Sequence, residues 1–126
     1  VILLDTSVLI DALTGPRRSA PALRRAVERG ERVALTTLVL YEWLRGPRLS
    51  EELATQEALF PSDTAVAFGT VEAARAAELY RSVRGAHGRE IDLAIAACAV
   101  CRDASLWSLN VKDFRDIPGL RVSRPA

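Results

Sequence analysis

No stretch of this chain approaches the roughly 20 consecutive apolar residues that a membrane-spanning helix needs. The opening apolar run Val1–Leu4 stops at Asp5, too soon for a signal peptide. Aromatic residues are scarce, at 6% of 126 positions. Ala, Leu and Val dominate instead, which predicts an aliphatic core of packed helices with a small sheet. Net charge is almost absent, at +1, so the chain does not hold nucleic acid through a strong overall field, although a local basic surface stays open. Lysine is nearly missing too: Lys112 stands alone, and the remaining positive charge is Arg, the better phosphate clamp. Cys98 and Cys101 are the only cysteines, and His87 is the only histidine. That C-x-x-C lies inside the apolar run Leu93–Cys101, not at an exposed helix start as redox pairs do, and with His87 it makes too few ligands for zinc. Both cysteines read as small buried residues on one helix face, and a reducing cytoplasm is the expected location. Repeats, low-complexity segments and linkers are also lacking, which predicts one domain over residues 1–126.

What the chain has is alternation. Val1–Leu4 is apolar on both faces, as a buried parallel strand requires. Asp5-Thr6-Ser7 leads into a short helix that stops by Gly15-Pro16. Ala22–Arg29 predicts a second helix, with Leu23, Ala26 and Val27 on its inner face and Gly30 as its stop. Arg32–Leu35 predicts a second strand. Thr36 or Thr37 should cap a helix to Arg45, ended by Gly46-Pro47. Ser50 opens another, ending near Pro61. Ala65–Phe68 predicts a third strand. Thr70 is expected to cap a long helix in which Ala76, Leu79, Tyr80 and Val83 recur at helical spacing, and Gly85 and Gly88 break it. Glu90–Arg102 is the most apolar helix. Leu106–Leu109 predicts a fourth strand and Leu120–Val122 a fifth. Strands alternating with helices imply a three-layer α/β architecture: a central, mainly parallel sheet flanked by helices.

The carboxylates fall in a telling pattern. Asp5 is the only charged residue in the first ten, Glu42 the only one between Arg32 and Arg45, and Asp92 the only one between Glu90 and Arg102. A buried carboxylate must be paired, hydrogen-bonded, protonated or bound to metal. Each acid has a plain structural role available. Asp5 could cap the helix after it, Asp92 could complement a helix dipole, and Glu42 could pair with Arg45. None of these roles explains why each element is otherwise apolar. In open parallel sheets, sites form beyond the carboxyl ends of the strands, where Asp5 and the segment Asn110–Asp113 both fall. Converging carboxylates would repel unless a divalent cation joined them. Oxygen ligands without His or Cys select magnesium, or manganese, rather than zinc. Such a site is the apparatus for hydrolysing a phosphodiester with metal-activated water.

The segment Ile2-Leu3-Leu4-Asp5-Thr6-Ser7-Val8-Leu9-Ile10-Asp11 closely resembles the first motif of PIN-domain nucleases, above all the VapC-type toxins of bacterial toxin–antitoxin pairs. Glu42 matches the second acid of that family, Ile91-Asp92-Leu93-Ala94-Ile95-Ala96-Ala97 the third motif, and Leu109-Asn110-Val111-Lys112-Asp113-Phe114 the last. All four occur in family order and span nearly the whole chain. The resemblance implies a PIN fold, a homodimer, a magnesium-dependent endoribonuclease leaving 5′-phosphate and 3′-hydroxyl ends, an RNA substrate, and a cognate antitoxin protein across the mouth of the site. Asn110 departs from the many members that carry an acid there.

Chemistry and resemblance together assign expected roles. Asp5 and Asp92 would ligate magnesium directly. Glu42 and Asp113 would hold it through water, and Glu42 would help orient or deprotonate the attacking water. Ser7 would hydrogen-bond the Asp5 carboxylate or a substrate phosphate, or else cap a helix. Asn110 would position substrate or water, and which of Asn110 and Asp113 completes the site stays open. Asp116 is a third possibility, better suited to the turn before Pro118-Gly119. His87 reads as a loop residue, and Trp43 and Trp107 both read as core or interface rather than base-stacking platforms. Trp43 and Leu44 are expected anchors for the dimer or the antitoxin. Arg45 and Arg48 are expected near RNA phosphates. The clusters Arg17-Arg18, Arg24-Arg25 and Arg29 read as solvated helix faces. Two rival functions also fit a strand followed by Asp. A haloacid-dehalogenase-like phosphatase would want a second Asp where Ser7 stands, and a catalytically silent RNA-binding or assembly module would not need the three acids.

Overall fold

A computed structural model describes residues 1–126. Its sheet has four strands, all parallel, in the order β2-β1-β3-β4: β1 (Ile2–Leu4), β2 (Val33–Ala34), β3 (Ser105–Trp107) and β4 (Arg121–Ser123). Helices α1 (Thr6–Leu13), α2 (Ala20–Glu28), α3 (Thr37–Arg45), α4 (Ser50–Leu59), α5 (Thr70–Ser82) and α6 (Glu90–Cys101) complete the three-layer α/β architecture. The apolar run of β1 has the predicted cause: Ile2, Leu3 and Leu4 are all buried, with strands on either side and helices above and below. The same holds for α6, whose residues Leu93 to Ala99 are buried all round. It packs against α5, α3 and β3. Burying a side chain such as Leu93 or Ile95 contributes about 1.5–3 kcal/mol relative to exposure, so α6 anchors the core and holds Asp92 at its first turn.

Local sequence sets the helix ends. Thr36, fully buried, accepts a hydrogen bond from the Val39 amide at 3.1 Å and so starts α3. α5 differs from expectation, because Gly69 rather than Thr70 occupies the cap. The Glu72 carboxylate reaches back to accept from the Gly69 amide at 3.0 Å, the N3-acid half of a capping box.

Four further expectations are corrected. Ala65–Phe68 is not a strand; it makes a single parallel bridge, Val66 to Thr36. Its neighbour β2 runs for two residues before Thr36 turns the chain into α3, so no partner backbone remains for a longer ladder. β3 begins at Ser105 and ends at Trp107, which leaves Ser108 and Leu109 beyond the sheet edge. On α2 the inner face is Ala22, Leu23 and Ala26, while Val27 is 62% exposed. Tyr80 on α5 is likewise exposed, although Leu79 and Val83 of the same stripe are buried.

Candidate functional site

The parallel register of the two central strands places Leu4 beside Trp107, so the next residues, Asp5 and Ser108, leave the sheet side by side. Asp5 is 6% exposed. Its carbonyl accepts from the amides of Val8 and Leu9 as α1 begins, but its carboxylate does not cap that helix. Instead it accepts from Ser108 Oγ at 2.8 Å and from Ser7 Oγ at 3.0 Å. Each hydroxyl is itself held: Ser108 Oγ accepts from the Asn110 amide and Ser7 Oγ from the Leu109 amide. Burial pushes the Asp5 carboxyl above the ordinary carboxylate range, the two serines pull it down, and the charge of Glu42 raises it again.

Glu42 arrives from α3 with its side chain 21% exposed. Thr6 Oγ1 donates a short hydrogen bond to Oε1, and Arg45 stands 3.5 Å from Oε2. The pair with Arg45 is therefore formed, yet an ion pair whose arginine end is exposed contributes about 0–1 kcal/mol. It does not account for the part-buried threonine contact.

Asp92 sits in the first turn of α6. Burial pushes its carboxyl up to about 6, and the charges of Asp5, Asp113 and Glu42 push the same way against Arg89. Four acids from four separate segments thus share one electrostatic field. Their oxygens do not gather into a group of three that could hold a metal ion as they stand.

The last segment leaves β3 and forms a short 3-10 turn at Val111–Asp113. Asn110 and Asp113 are both exposed, and neither side chain has a hydrogen-bond partner within the chain. Arg89 clamps this turn to the start of α6. Its guanidinium donates to the Asp113 carbonyl at 2.9 Å and grips both oxygens of Asp116 at 2.7 and 3.0 Å. Asp116 is thereby occupied as a latch.

A family model described as the PIN domain matches residues 2–120. The chain belongs to the PIN-domain family. It is 37% identical over 122 residues to Ribonuclease VapC19 of Mycobacterium tuberculosis, covering 94% of this chain and 96% of that protein. Among solved structures, the DNA-bound VapBC complex of Salmonella typhimurium superposes with a TM-score of 0.79 at 20% identity, covering 99% of this chain and 98% of that one. A toxin–antitoxin complex from Klebsiella pneumoniae superposes with a TM-score of 0.74 at 27% identity, covering 100% and 98%. Family membership sets aside the phosphatase alternative.

Within this PIN domain two positioning hydroxyls escaped the sequence reading: Ser108 on Asp5 and Thr6 on Glu42. A signal for Ser108 existed, since it is the first polar residue after the apolar Leu106-Trp107, as Asp5 is after Leu3-Leu4. Only the strand pairing shows that the two meet. Other expectations change. Trp43 is fully buried, with the Arg48 guanidinium 4.2 Å from its ring centre, so it cannot anchor a partner. Arg48 also donates to the Trp43 carbonyl and is tied to the fold. Leu44 is 51% exposed and stays available. His87 is an exposed loop residue and Trp107 is core. Both cysteines are free, and burial pushes the Cys98 thiol up to about 11, which makes it inert. No helix is long and apolar enough to cross a membrane.

Proposed function

We propose that this PIN domain, a single unit over residues 1–126, is a magnesium-dependent endoribonuclease and the toxin of a toxin–antitoxin pair. The observation that carries the catalytic part is the convergence of Asp5, Glu42, Asp92 and Asp113 from four segments: burial pushes Asp92 up to about 6, and the charges of the other three push the same way. All-oxygen donors and a surplus of negative charge suit a hard divalent cation, magnesium or manganese. Asp5 and Asp92 would hold it directly, with Glu42 and Asp113 acting through water. When bound, the metal supplies a Lewis acid for the phosphate and lowers the pKa of water. The rest falls to the chain itself. Ser7 and Ser108 fix the direction of the Asp5 carboxylate. Thr6 fixes Glu42, whose carboxylate accepts a proton from the water attacking phosphorus. Asn110, at the open edge, positions substrate or water. Cleavage would leave 5′-phosphate and 3′-hydroxyl ends.

The relative named as a ribonuclease and the solved neighbours named as toxin–antitoxin or VapBC complexes support this assignment. For the antitoxin the surface offers an apolar groove of about 540 Å³ between α1, α2 and α4, lined by Leu13, Leu23, Val27, Leu59 and Phe60. Val27 and Leu59 are more than half exposed there, which suits the apolar face of an antitoxin helix. From it the antitoxin chain would run to the mouth of the acidic site. A homodimer would use the exposed Tyr41 and Leu44 on α3.

RNA cleavage assayed with magnesium and with EDTA tests the catalytic reading. Wild-type activity should vanish in EDTA, and Asp5→Asn or Asp92→Asn should each lower it by about 10³-fold or more while the domain stays folded. A folded double variant with full ribonuclease activity overturns the assignment.

A further inference from the structure

Beside the acidic site lies a second cleft of opposite sign. It has a volume of about 310 Å³ and is lined by Arg18, Arg25 and Arg124, with Asp11 as its one carboxylate. The volume is at the small end of the range for ligand pockets, about 300–1,000 Å³. Its arginines come from both ends of the sequence. Arg18 precedes α2 and Arg25 lies within it, seven positions on, while Arg124 follows β4. Arg18 and Arg25 are exposed and have no ion pair. Three like charges gathered round one cleft repel one another, in a chain whose net charge is only +1. Arg29, at the end of the same helix, is exposed but does not line the cleft.

The cleft adjoins the carboxylates through bonded neighbours. Leu109 lines it, and the Leu109 amide donates to Ser7 Oγ, which donates to Asp5. Asp11 is one helical turn, about 6 Å, along α1 from Ser7. One oxygen of its carboxylate accepts from Ser19 Oγ at 2.6 Å, and its single negative charge leaves the three arginines in excess. Arg124 donates to the Leu109 carbonyl at 2.9 Å, which ties the cleft to the loop carrying Asn110.

We propose that this cleft seats backbone phosphates of the RNA strand flanking the scissile one. An acidic catalytic site repels the polyanion it must cut, and an adjoining arginine cleft supplies the attraction without lying on the metal. The proposal rests on the ribonuclease assignment above. Guanidinium groups pair with phosphate oxygens regardless of base, so the cleft contributes affinity and register rather than sequence choice.

The test uses the full chain and a fluorescein-labelled single-stranded RNA of mixed sequence, in EDTA, with anisotropy read across a sodium chloride series. Arg18→Gln/Arg25→Gln is compared with wild type and with Arg29→Gln/Arg81→Gln, which removes equal charge from exposed positions outside the cleft. Thermal melting checks that both variants are folded. The cleft variant should bind about tenfold more weakly at low salt, and its slope of log affinity against log salt should fall by about 1.4, at roughly 0.7 per phosphate contact on a single strand. The control should stay near wild type. A cleft variant whose slope and affinity match the control overturns the proposal. If wild type grips RNA through the cleft in this way but never cleaves it with magnesium, the cleft stands and the nuclease assignment falls.

Discussion

Asp5 and Asp113 occupy the two extremes of one acidic site. Asp5 is 6% exposed and its carboxylate accepts from two serine hydroxyls, each fixed in turn by a backbone amide. Asp113 is exposed, and its side chain is held by nothing within the chain; only its carbonyl is clamped, by Arg89. One wall is therefore set before any ligand arrives, because the ends of β1 and β3 are locked by the sheet. The other is a short turn whose backbone is placed and whose carboxylate is free to adjust. A preorganised oxygen can stabilise charge without rearranging during reaction. A free one can follow a cation or substrate as it enters.

The sharpest way to break this contrast is to loosen the rigid wall. Ser108→Ala removes the 2.8 Å hydrogen bond to Asp5 and leaves the Asn110 amide without its acceptor. A stability loss of about 1–3 kcal/mol is expected, with RNA cleavage falling about tenfold through misdirection of the carboxylate. Ser108→Thr, which keeps the hydroxyl, should restore most of both. Denaturant melts together with cleavage rates check this. If Ser108→Ala matches wild type in both, the rigid wall has no role in the chemistry.

A smaller effect concerns charge. Folding without metal raises the Asp92 carboxyl from its ordinary value of 3.8 to about 6. Between those values the folded chain binds the proton more tightly than the unfolded one, so metal-free stability falls as pH rises from about 4 to about 6 and then levels off. Because the group is half-buried and partly screened, the loss is about 1–2 kcal/mol. Asp92→Asn should flatten that part of the stability–pH curve measured in EDTA, and magnesium should restore stability to wild type above pH 6. A wild-type curve as flat as the variant's would show that neither burial nor the neighbouring acids raise the Asp92 carboxyl.

The same contrast explains what the sequence made legible. Every strand and every α-helix of the fold could be placed, with Ala65–Phe68 the one strand predicted in excess, because runs such as Val1–Leu4 and Leu93–Ala99 are so apolar that only burial on all sides accommodates them. Ala65–Phe68 misled because local composition cannot show that its neighbour leaves the sheet after two residues. The acids were visible as lone charges in apolar elements. Their hydroxyl partners were not, since Thr6 meets Glu42 across 36 positions and Ser108 meets Asp5 across 103. Ser and Thr at element ends are ordinary caps in any sequence, and only tertiary pairing distinguishes these two. Trp43 misled in another way. Core and interface are both open to it in the sequence, and beside Leu44 it is an expected partner anchor, but the α3 periodicity turns it inward under Arg48.

The finest distinction is between Asn110 and Asp113 on the adjustable wall. Ser108 Oγ holds the Asn110 amide, so the Asn110 backbone belongs to the rigid wall while its side chain faces out. Asp113 adds a charge that raises Asp92, so it lies within electrostatic reach of the proposed metal position. It makes no side-chain hydrogen bond to the turn it ends, which removes capping at Phe114 as its reason for being there. Asp113→Asn should therefore shift the magnesium midpoint for cleavage upward several-fold, about 1 kcal/mol in metal affinity, with activity recovering at saturating metal. Asn110→Ala should lower the rate at every magnesium concentration and leave the midpoint in place, because an exposed amide at the open edge acts on substrate or water. Cleavage rates across a magnesium titration separate the two. An Asp113→Asn enzyme that matches wild type throughout, beside an Asn110→Ala enzyme whose midpoint moves, would exchange their roles and place the ligand on the rigid wall after all.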